Sequence, residues 1–204
     1  MIFRITSILF GISMLTLAGA PAADDARPAP LTEAQLRAIM PHVPKDKAGK
    51  YVELLNAVCK EYDVGTPKRR AAFLAQLAHE SGELRYMEEI ASGGAYEGRK
   101  DLGNTEPGDG TRYKGRGPLQ LTGRANYRAA GAALGLDLEK KPELAARPEI
   151  GCLAAAWFWS THKLNDLADA GDFKQITKRI NGGYNGMKER EGYFERAMSV
   201  FKNP

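Results

Sequence analysis

The chain contains few of the residues that metal- or thiol-dependent enzymes require. Among 204 residues there are two cysteines, Cys59 and Cys152, and three histidines, His42, His79 and His162. They are scattered, so neither residue type has the spacing of a metal site. The motifs GxSxG, HExxH and CxxC, which are typical of serine hydrolases, zinc proteases and dithiol enzymes, are missing. We therefore expect no metal and no organic cofactor.

Dense blocks of lysine and arginine interleaved with aromatic residues are also missing. We therefore do not expect nucleic acid to be a partner. The stretch GRGPLQLTGR contains glycines, but no Gly-Lys-Ser/Thr follows them, so it is a poor phosphate loop. The net charge of +4 is mildly basic and suits contact with an anionic surface such as peptidoglycan.

Long apolar runs are confined to the start of the chain. Arg4 precedes an apolar stretch at residues 5–17, and Ala20-Pro21-Ala22 fits a small-x-small cleavage site. The run is short for a membrane span, which disfavours the alternative of an uncleaved anchor. The sequence predicts a signal peptide over residues 1–22 and a flexible Pro/Ala-rich linker over 23–31. A single catalytic domain over 32–204 follows, which we expect to be a soluble monomer in the periplasm or outside the cell.

Export leaves two states open for the cysteines. An oxidising compartment permits a disulfide, and closing so long a loop contributes about 4–5 kcal/mol on the chain-entropy model. Both cysteines, however, lie among apolar residues, in NAVCKEY and IGCLAAAW. Two buried free thiols are therefore equally compatible with the sequence.

Helical periodicity covers most of the rest of the chain. A capping box at Thr32-x-x-Gln35 opens one helix, and Thr66-Pro67 opens the helix that contains RRAAFLAQLAHE. The other helices are expected at 46–62, 124–134, 148–162, 172–181 and 187–202, and IGCLAAAWFWS is expected to be the buried central one. Residues 91–118 are rich in Gly, Pro, Asn and Asp, and include Tyr96. The fold class is therefore mainly α, with an irregular, functional Gly-rich central segment that has room for a small β-hairpin.

Four carboxylates follow one of these helices within AHESGELRYMEE: Glu80, Glu83, Glu88 and Glu89. A solvated surface is the ordinary explanation, but glycoside hydrolysis also needs two carboxyl groups. On one continuous helix, Glu80 and Glu89 lie about 13–14 Å apart along the axis. Inverting glycosidases place their carboxyls about 6.5–9.5 Å apart. The pair therefore requires the chain to break and turn back, most easily at Gly82.

Three sequence blocks resemble glycoside hydrolase family 19. They are HESG at 79–82, YKGRGPLQLTGRANY at 113–127 and INGG at 180–183. The resemblance extends roughly from residue 66 to residue 201. It implies a lysozyme-like, α-rich fold and an inverting hydrolase that cleaves β-1,4-linked N-acetylhexosamine chains. It further implies that Glu80 is the general acid and Glu89 the base that activates water, with Glu88 and Glu97 as the next choices.

The same resemblance assigns polar residues around the two acids. Thr122 matches a hydroxyl that helps to hold the catalytic water, with capping of the following helix as its alternative role. Gln120, Asn126 and Asn181 match amides that bind sugar. Turn and cap roles are their alternatives, particularly for Asn181 before Gly182.

Arg190 matches an arginine that lies near the acidic pair and tunes its ionisation. Its alternative is a surface ion pair with Glu189 or Glu191. Tyr113 and Tyr127 are candidates for stacking on sugars, with half-buried packing as their alternative.

Several functions remain open. The chain lacks the multiple disulfides and some of the loops of plant-type members, so both chitin and a peptidoglycan glycan strand are candidate substrates. A lytic transglycosylase uses one glutamate and predicts that Glu89 is dispensable. A wall-binding module without turnover is the alternative outside catalysis. An interbacterial toxin has the same activity, with an immunity protein as its partner.

Overall fold

The computed structural model describes residues 29–202, which form a mostly helical fold. Its α-helices, in chain order, are α1 (Glu33–Ile39), α2 (Ala48–Glu61), α3 (Pro67–Glu80), α4 (Asp109–Arg112), α5 (Arg124–Leu134), α6 (Pro148–Thr161), α7 (Leu164–Asp169), α8 (Phe173–Asn181) and α9 (Met187–Lys202). Short 3-10 helices lie at Gly94–Tyr96, Lys100–Leu102 and Pro142–Ala146. None of the helices in this part of the chain is long and apolar enough to cross a membrane. The predicted signal peptide lies outside the described residues.

The two predicted N-terminal helix caps, at Thr32 and Thr66, are confirmed by their hydrogen bonds. The Thr32 hydroxyl accepts a hydrogen bond from the Gln35 backbone N–H, and the Gln35 side chain accepts one from the Thr32 N–H. The Thr66 hydroxyl likewise accepts from the Arg69 N–H at 3.2 Å, with Pro67 at the first helical position. The short helices α4 and α7 were not predicted, because four and six residues are too few to show a helical period.

The central helix of the fold is α3, and not α6, which contains the IGCLAAAWFWS segment expected to be the buried central helix. Every residue of α3 from position 70 to position 78 is buried, whereas Trp157 and Phe158 of α6 are only partly buried. Four alanines in α3 leave room for close neighbours, chiefly α9. The buried polar residues Arg70 and Gln76 interrupt the apolar pattern and disguise the helix in the sequence.

The apolar residues form two cores. The main core joins α1, α2, α3, α6 and α9. A second core is smaller and consists of Tyr113, Leu121, Tyr127, Ala130, Leu138 and Ala145. The Gly-rich central segment therefore packs against this second core.

The region expected to hold a hairpin contains isolated bridges instead. Within residues 29–202 there is no regular strand, but Glu88 pairs with Arg116 and Arg116 pairs with Leu121, both antiparallel. The Glu89 N–H donates to the Gly115 carbonyl at 2.8 Å, and the Gly117 N–H donates to the Met87 carbonyl at 2.9 Å. We call residues 87–89 and 115–117 together the bridged wall.

Both cysteines are buried as free thiols. Burial raises the pKa of Cys59 and of Cys152 to about 12, so both stay protonated at neutral pH. The end of the predicted linker is also packed. Leu31 is 3% exposed and its backbone exchanges two hydrogen bonds with the Asn56 side chain, so ordered packing begins before Thr32.

Candidate active site

The chain reverses immediately after Glu80. Helix α3 ends at that residue, and Gly82, Glu83 and Leu84 then adopt left-handed conformations with φ of 55°, 64° and 63°. Gly82 tolerates this conformation because it has no Cβ, but the two residues after it do so at a cost. Glu89 therefore does not continue the α3 cylinder, and the break lies where the sequence predicted it.

Glu83 anchors this reversal. Its side chain is buried, and its carboxylate accepts hydrogen bonds from the His42 backbone N–H and from the Tyr193 hydroxyl, the latter at 2.8 Å. The His42 ring Nδ1 lies 2.9 Å from Glu83 Oε1. Burial alone raises the pKa of Glu83, but the hydrogen bonds from His42 and Tyr193 outweigh it and hold the pKa below its ordinary value. The turn is thus fixed to α9 and to the segment after α1.

Glu80 is held by a buried cation. Arg190 on α9 is 0% exposed, and its Nη2 donates to Glu80 Oε1 at 2.5 Å. The Glu80 side chain is 17% exposed, so one edge of it still reaches solvent. The alternative of a surface ion pair for Arg190 is not what the structure shows, because Glu189 instead lies 2.8 Å from His79 Nδ1.

Glu89 is held by neutral donors on the bridged wall. Its Oε1 accepts from the Tyr96 hydroxyl and its Oε2 from the Gly115 N–H, both at 3.1 Å. Lys114 Nζ donates to the Glu89 backbone carbonyl rather than to the carboxylate. Burial, followed by the negative charge of Glu89, raises the pKa of Tyr96, so the hydroxyl keeps its proton and remains a donor. Sequence reasoning marked Tyr96 only as a sign that the loop is functional.

The two other candidate bases are engaged elsewhere. Glu88 lies 3.0 Å from Lys114 Nζ and 3.4 Å from Arg116 Nη2. The hydrogen bond from Lys114, with the neighbouring charge of Arg116, holds the pKa of Glu88 below its ordinary value. Glu97 accepts from the backbone N–H groups of residues 108 and 110 at 2.7 and 2.8 Å, and so stabilises the start of α4.

Gln120, Thr122 and Asn126 form one chain of hydrogen bonds. The Thr122 hydroxyl donates to the Gln120 carbonyl at 2.8 Å, and Asn126 Nδ2 donates to the Thr122 carbonyl at 2.8 Å. Helix α5 starts after Gly123 without a side-chain cap, so Thr122 does not have the capping role. A Cβ at Gly115 would lie 2.5 Å from Gln120 Oε1, which places Gln120 beside the N–H that binds Glu89.

Asn181 belongs to a different element, α8. It ends α8, is exposed, and is followed by Gly182 in the left-handed conformation that closes the helix. Gly182 therefore has the C-cap role that was the alternative expected for Asn181. The Asn181 amide faces the solvent-accessible loop that follows α8.

Tyr113 and Tyr127 pack in the second core, so neither ring can stack on a sugar in this arrangement. They are 1% and 0% exposed, and their ring centroids are 5.5 Å apart. The Tyr127 hydroxyl donates to the Lys114 carbonyl at 2.7 Å and so supports the bridged wall. The aromatic residues that are exposed, Tyr86 at 47% and Tyr184 at 45%, were not singled out from the sequence, although both stand in polar, loop-like contexts.

The site therefore contains two carboxylates with different surroundings on opposite sides of a chain reversal. One ends a buried helix against a guanidinium, and the other lies on a loop wall between a hydroxyl and an amide. Among residues 29–202, no group of three or more His, Cys, Asp or Glu side chains is arranged to hold a metal ion. The chemistry that this arrangement can perform by itself is proton donation and proton acceptance.

Comparisons with known proteins agree on one family. The model of glycoside hydrolase family 19, described as "Chitinase class I", matches residues 55–171. A "Glycosyl hydrolase family 19 domain-containing protein" of Haemophilus influenzae is 30% identical over an alignment of 204 residues that covers 85% of this chain and 98% of that protein. An endochitinase of Arabidopsis thaliana is 44% identical over 122 residues, 58% of this chain and 42% of that protein. The chain thus spans less than half of this plant relative.

Solved structures show the same fold. Chitinase C from Streptomyces griseus superposes with a TM-score of 0.68 at 26% identity, covering 84% of this chain and 92% of that one. A class IV chitinase of the same family from Zea mays superposes with a TM-score of 0.65 at 26% identity, with the same two coverages. The lysozyme-like, α-rich fold predicted from the sequence is confirmed.

Proposed function

The chain belongs to glycoside hydrolase family 19, and from this premise we propose that it is an exported, inverting hydrolase of β-1,4-linked N-acetylhexosamine polymers. Family membership makes it a glycoside hydrolase of chitin-like glycans. One observation carries the finer proposal. Glu80 and Glu89 lie on either side of a three-residue left-handed turn, and each is fixed by its own hydrogen bonds.

In the proposed mechanism the two carboxyl groups act on one bond from opposite sides. Protonated Glu80 gives its proton to the oxygen of the leaving sugar as the glycosidic C–O bond breaks. Glu89 takes a proton from a water molecule, whose oxygen attacks the anomeric carbon. Thr122 is proposed to help hold that water, and Gln120, Asn126 and Asn181 to bind sugar amides and hydroxyls.

The hydrogen bonds of Glu89 support its assignment as the base. Tyr96 and Gly115 each occupy one position on its two oxygens, and carboxylate oxygens have further lone pairs that can accept from water. Glu88 lies beside two cations, and Glu97 binds backbone N–H groups at the start of α4. Both are therefore poorer candidates for the general base.

Chitin and peptidoglycan both contain N-acetylglucosamine, so both polymers are proposed as substrates. The similarity to proteins named endochitinases favours chitin. The predicted signal peptide and the net charge of +4 favour contact with a cell wall and therefore an endolysin-like role on peptidoglycan. Whichever polymer is cut, the partner is a polysaccharide.

Product analysis on both polymers tests this proposal. Colloidal chitin and purified peptidoglycan are incubated with the wild-type protein, Glu80→Gln and Glu89→Gln, and the products are identified by mass spectrometry. We expect hydrolysed sugars with new reducing ends from the wild type and almost none from either variant. Anhydro-sugars, with activity retained in Glu89→Gln, would instead establish a lytic transglycosylase. Tight binding without products would establish a wall-binding module.

Export is tested separately. The full chain is produced in a bacterium, the cells are fractionated, and the mass of the protein in each fraction is measured. We expect a species beginning after Ala22 in the periplasmic or extracellular fraction. A full-length species that remains in the cytoplasm would contradict the export proposal and leave the enzymatic one untouched.

A further inference from the structure

Three polar side chains are completely buried beneath Glu80. Gln76 on α3, Thr177 on α8 and Arg190 on α9 are each 0% exposed. Burying polar groups is unfavourable unless they are hydrogen-bonded, and here Gln76 bonds to both of the others. The cluster adds nothing to the apolar core, but it is linked through Arg190 to the Glu80 carboxylate.

The Arg190 guanidinium is fixed by all three of its nitrogen atoms. Nη1 donates to Gln76 Oε1 and Nη2 to Glu80 Oε1, both at 2.5 Å, while Nε donates to the Asn185 carbonyl at 3.1 Å. A guanidinium is planar, so three acceptors in different directions determine both its plane and its rotation. Gln76 and Glu80 are four residues apart, on the same face of α3, and both accept hydrogen bonds from this guanidinium.

Arg190 and Thr177 together determine which way the Gln76 amide points, because the guanidinium can only donate and so faces the amide oxygen. Gln76 Nε2 donates to Thr177 Oγ1 at 2.9 Å. This leaves the amide oxygen directed at Arg190 and the amide nitrogen directed away from it. If the amide were reversed, two donors would face each other at the guanidinium, which is unfavourable in a buried site.

We propose that Gln76 is a positioning residue for the general acid, which acts through Arg190. It holds the guanidinium so that Nη2 faces Glu80, and because Gln76 is neutral the positive charge of Arg190 is not shared with a second buried carboxylate. This inference rests on the proposed function, in which Glu80 is the acid. It adds a residue that does not touch substrate and that none of the sequence motifs includes.

The charged groups around Glu80 make this proposal specific. On α3 itself the neighbour is His79, which is paired with Glu189 of α9. From α9, Arg190 binds Glu80 directly, and Tyr193 donates to the neighbouring carboxylate of Glu83. α7 contributes Asp169, which pairs with Arg69 at the far end of α3, and α8 contributes the neutral Thr177.

The decisive variant is Gln76→Glu, which is nearly isosteric and retains an acceptor for Arg190. The Thr177 hydroxyl can rotate and donate to the new carboxylate, so the fold is preserved. A second carboxylate beside Arg190 competes with Glu80 for its positive charge. We expect the alkaline limb of the kcat–pH profile to move to higher pH, with KM unchanged.

Gln35→Glu is the matched control. It adds the same charge to the same fold, at the capping box of α1, where glutamate is equally suitable. Its profile should coincide with that of the wild type. An unmoved limb in Gln76→Glu, or an equal shift in Gln35→Glu, overturns the inference.

Variants of Thr177 separate positioning from packing. Thr177→Val keeps the shape but removes the hydroxyl that accepts from Gln76 Nε2, and should lower kcat about three- to tenfold without changing KM. Thr177→Ser retains the hydroxyl and should recover most of the lost turnover. Equal losses in the two variants would show that the site needs only the volume of Thr177, which contradicts the inference.

NMR titration of the Glu80 carboxyl carbon distinguishes failure of this inference from failure of the proposed function. The signal is assigned by its absence in Glu80→Gln and followed against pH without substrate. A titration that moves to higher pH in Gln76→Glu supports the positioning role even if the wild-type protein cuts neither polymer. An active wild-type enzyme whose Glu80 titration is the same in both proteins refutes the positioning role alone.

Discussion

The two sides of the site hold the same type of side chain by different means. Glu80 ends a helix that is buried along most of its length, and its carboxylate meets a fully buried guanidinium. Glu89 lies on the bridged wall, above the second core, and its carboxylate meets a tyrosine hydroxyl and a backbone amide. The difference teaches that one residue type can be held in place by a buried cation or by neutral donors alone. It also predicts that the two sides respond differently to the same substitution.

The largest expected effect comes from Glu80→Gln. Without the proton donor, kcat should fall by about 10³-fold. The free energy of unfolding should also fall, by about 1–3 kcal/mol, because Arg190 stays buried without its counter-charge. Turnover assays and denaturant unfolding measure the two effects. In the control Glu189→Gln, an exposed ion pair with His79 is lost, and stability should change by less than about 1 kcal/mol. Equal destabilisation in the two variants would break the comparison.

Glu89→Gln should reduce kcat by about 10²–10³-fold with little loss of stability. The Gly115 N–H can donate to the new amide oxygen and the Tyr96 hydroxyl can accept from the amide nitrogen, so the free energy of unfolding should change by less than about 1 kcal/mol. Glu88→Gln, at the neighbouring position, is the matched control and should retain activity. If Glu88→Gln loses the activity and Glu89→Gln keeps it, the base has been assigned to the wrong side of the wall.

Tyr96→Phe sharpens the description of the base side. It removes one hydrogen bond to a carboxylate, worth about 1–1.5 kcal/mol, so kcat should fall about five- to tenfold. Tyr62→Phe makes the same change at the residue that follows α2, away from the site, and should leave kcat unaltered. Steady-state kinetics of both variants measures the difference, and equal rates would remove Tyr96 from the site.

Glu83→Gln should have the smallest effect on turnover, below about threefold, but a clear effect on the pH dependence of stability. The pKa of Glu83 is lower in the folded protein than in the unfolded chain, so its contribution is complete above the unfolded value of about 4.3. It is lost as pH falls through the lower, folded pKa. Unfolding free energies measured between pH 6 and pH 3 should therefore fall less steeply in the variant. Parallel curves would contradict the anchoring role.

Local features were predictable from the sequence because they depend on neighbouring residues. The capping box at Thr32, the helix start at Thr66 and the break near Gly82 follow from residues within four positions of each other. The irregular central segment also followed from its composition, although its hairpin proved to be two bridges.

Contacts between distant residues were not predictable from periodicity. Gln76 bonds to Thr177 and Arg190, 101 and 114 positions away, and in the sequence it is simply a polar residue in an apolar helix. The position of Arg190 near the acids was implied by the family resemblance and not by the residues around it. The burial of Tyr113 and Tyr127 follows from the second core, which forms only when the central segment folds against α5.

The most direct test of the central claim is the anomeric form of the first product. Proton NMR spectra of an N-acetylglucosamine oligosaccharide are recorded during the first minutes of cleavage, before mutarotation. Attack by a water molecule activated by Glu89, on the face opposite Glu80, predicts that the α-anomer appears first from a β-linked substrate. Initial release of the β-anomer, or of an anhydro-sugar, would contradict the two-sided mechanism.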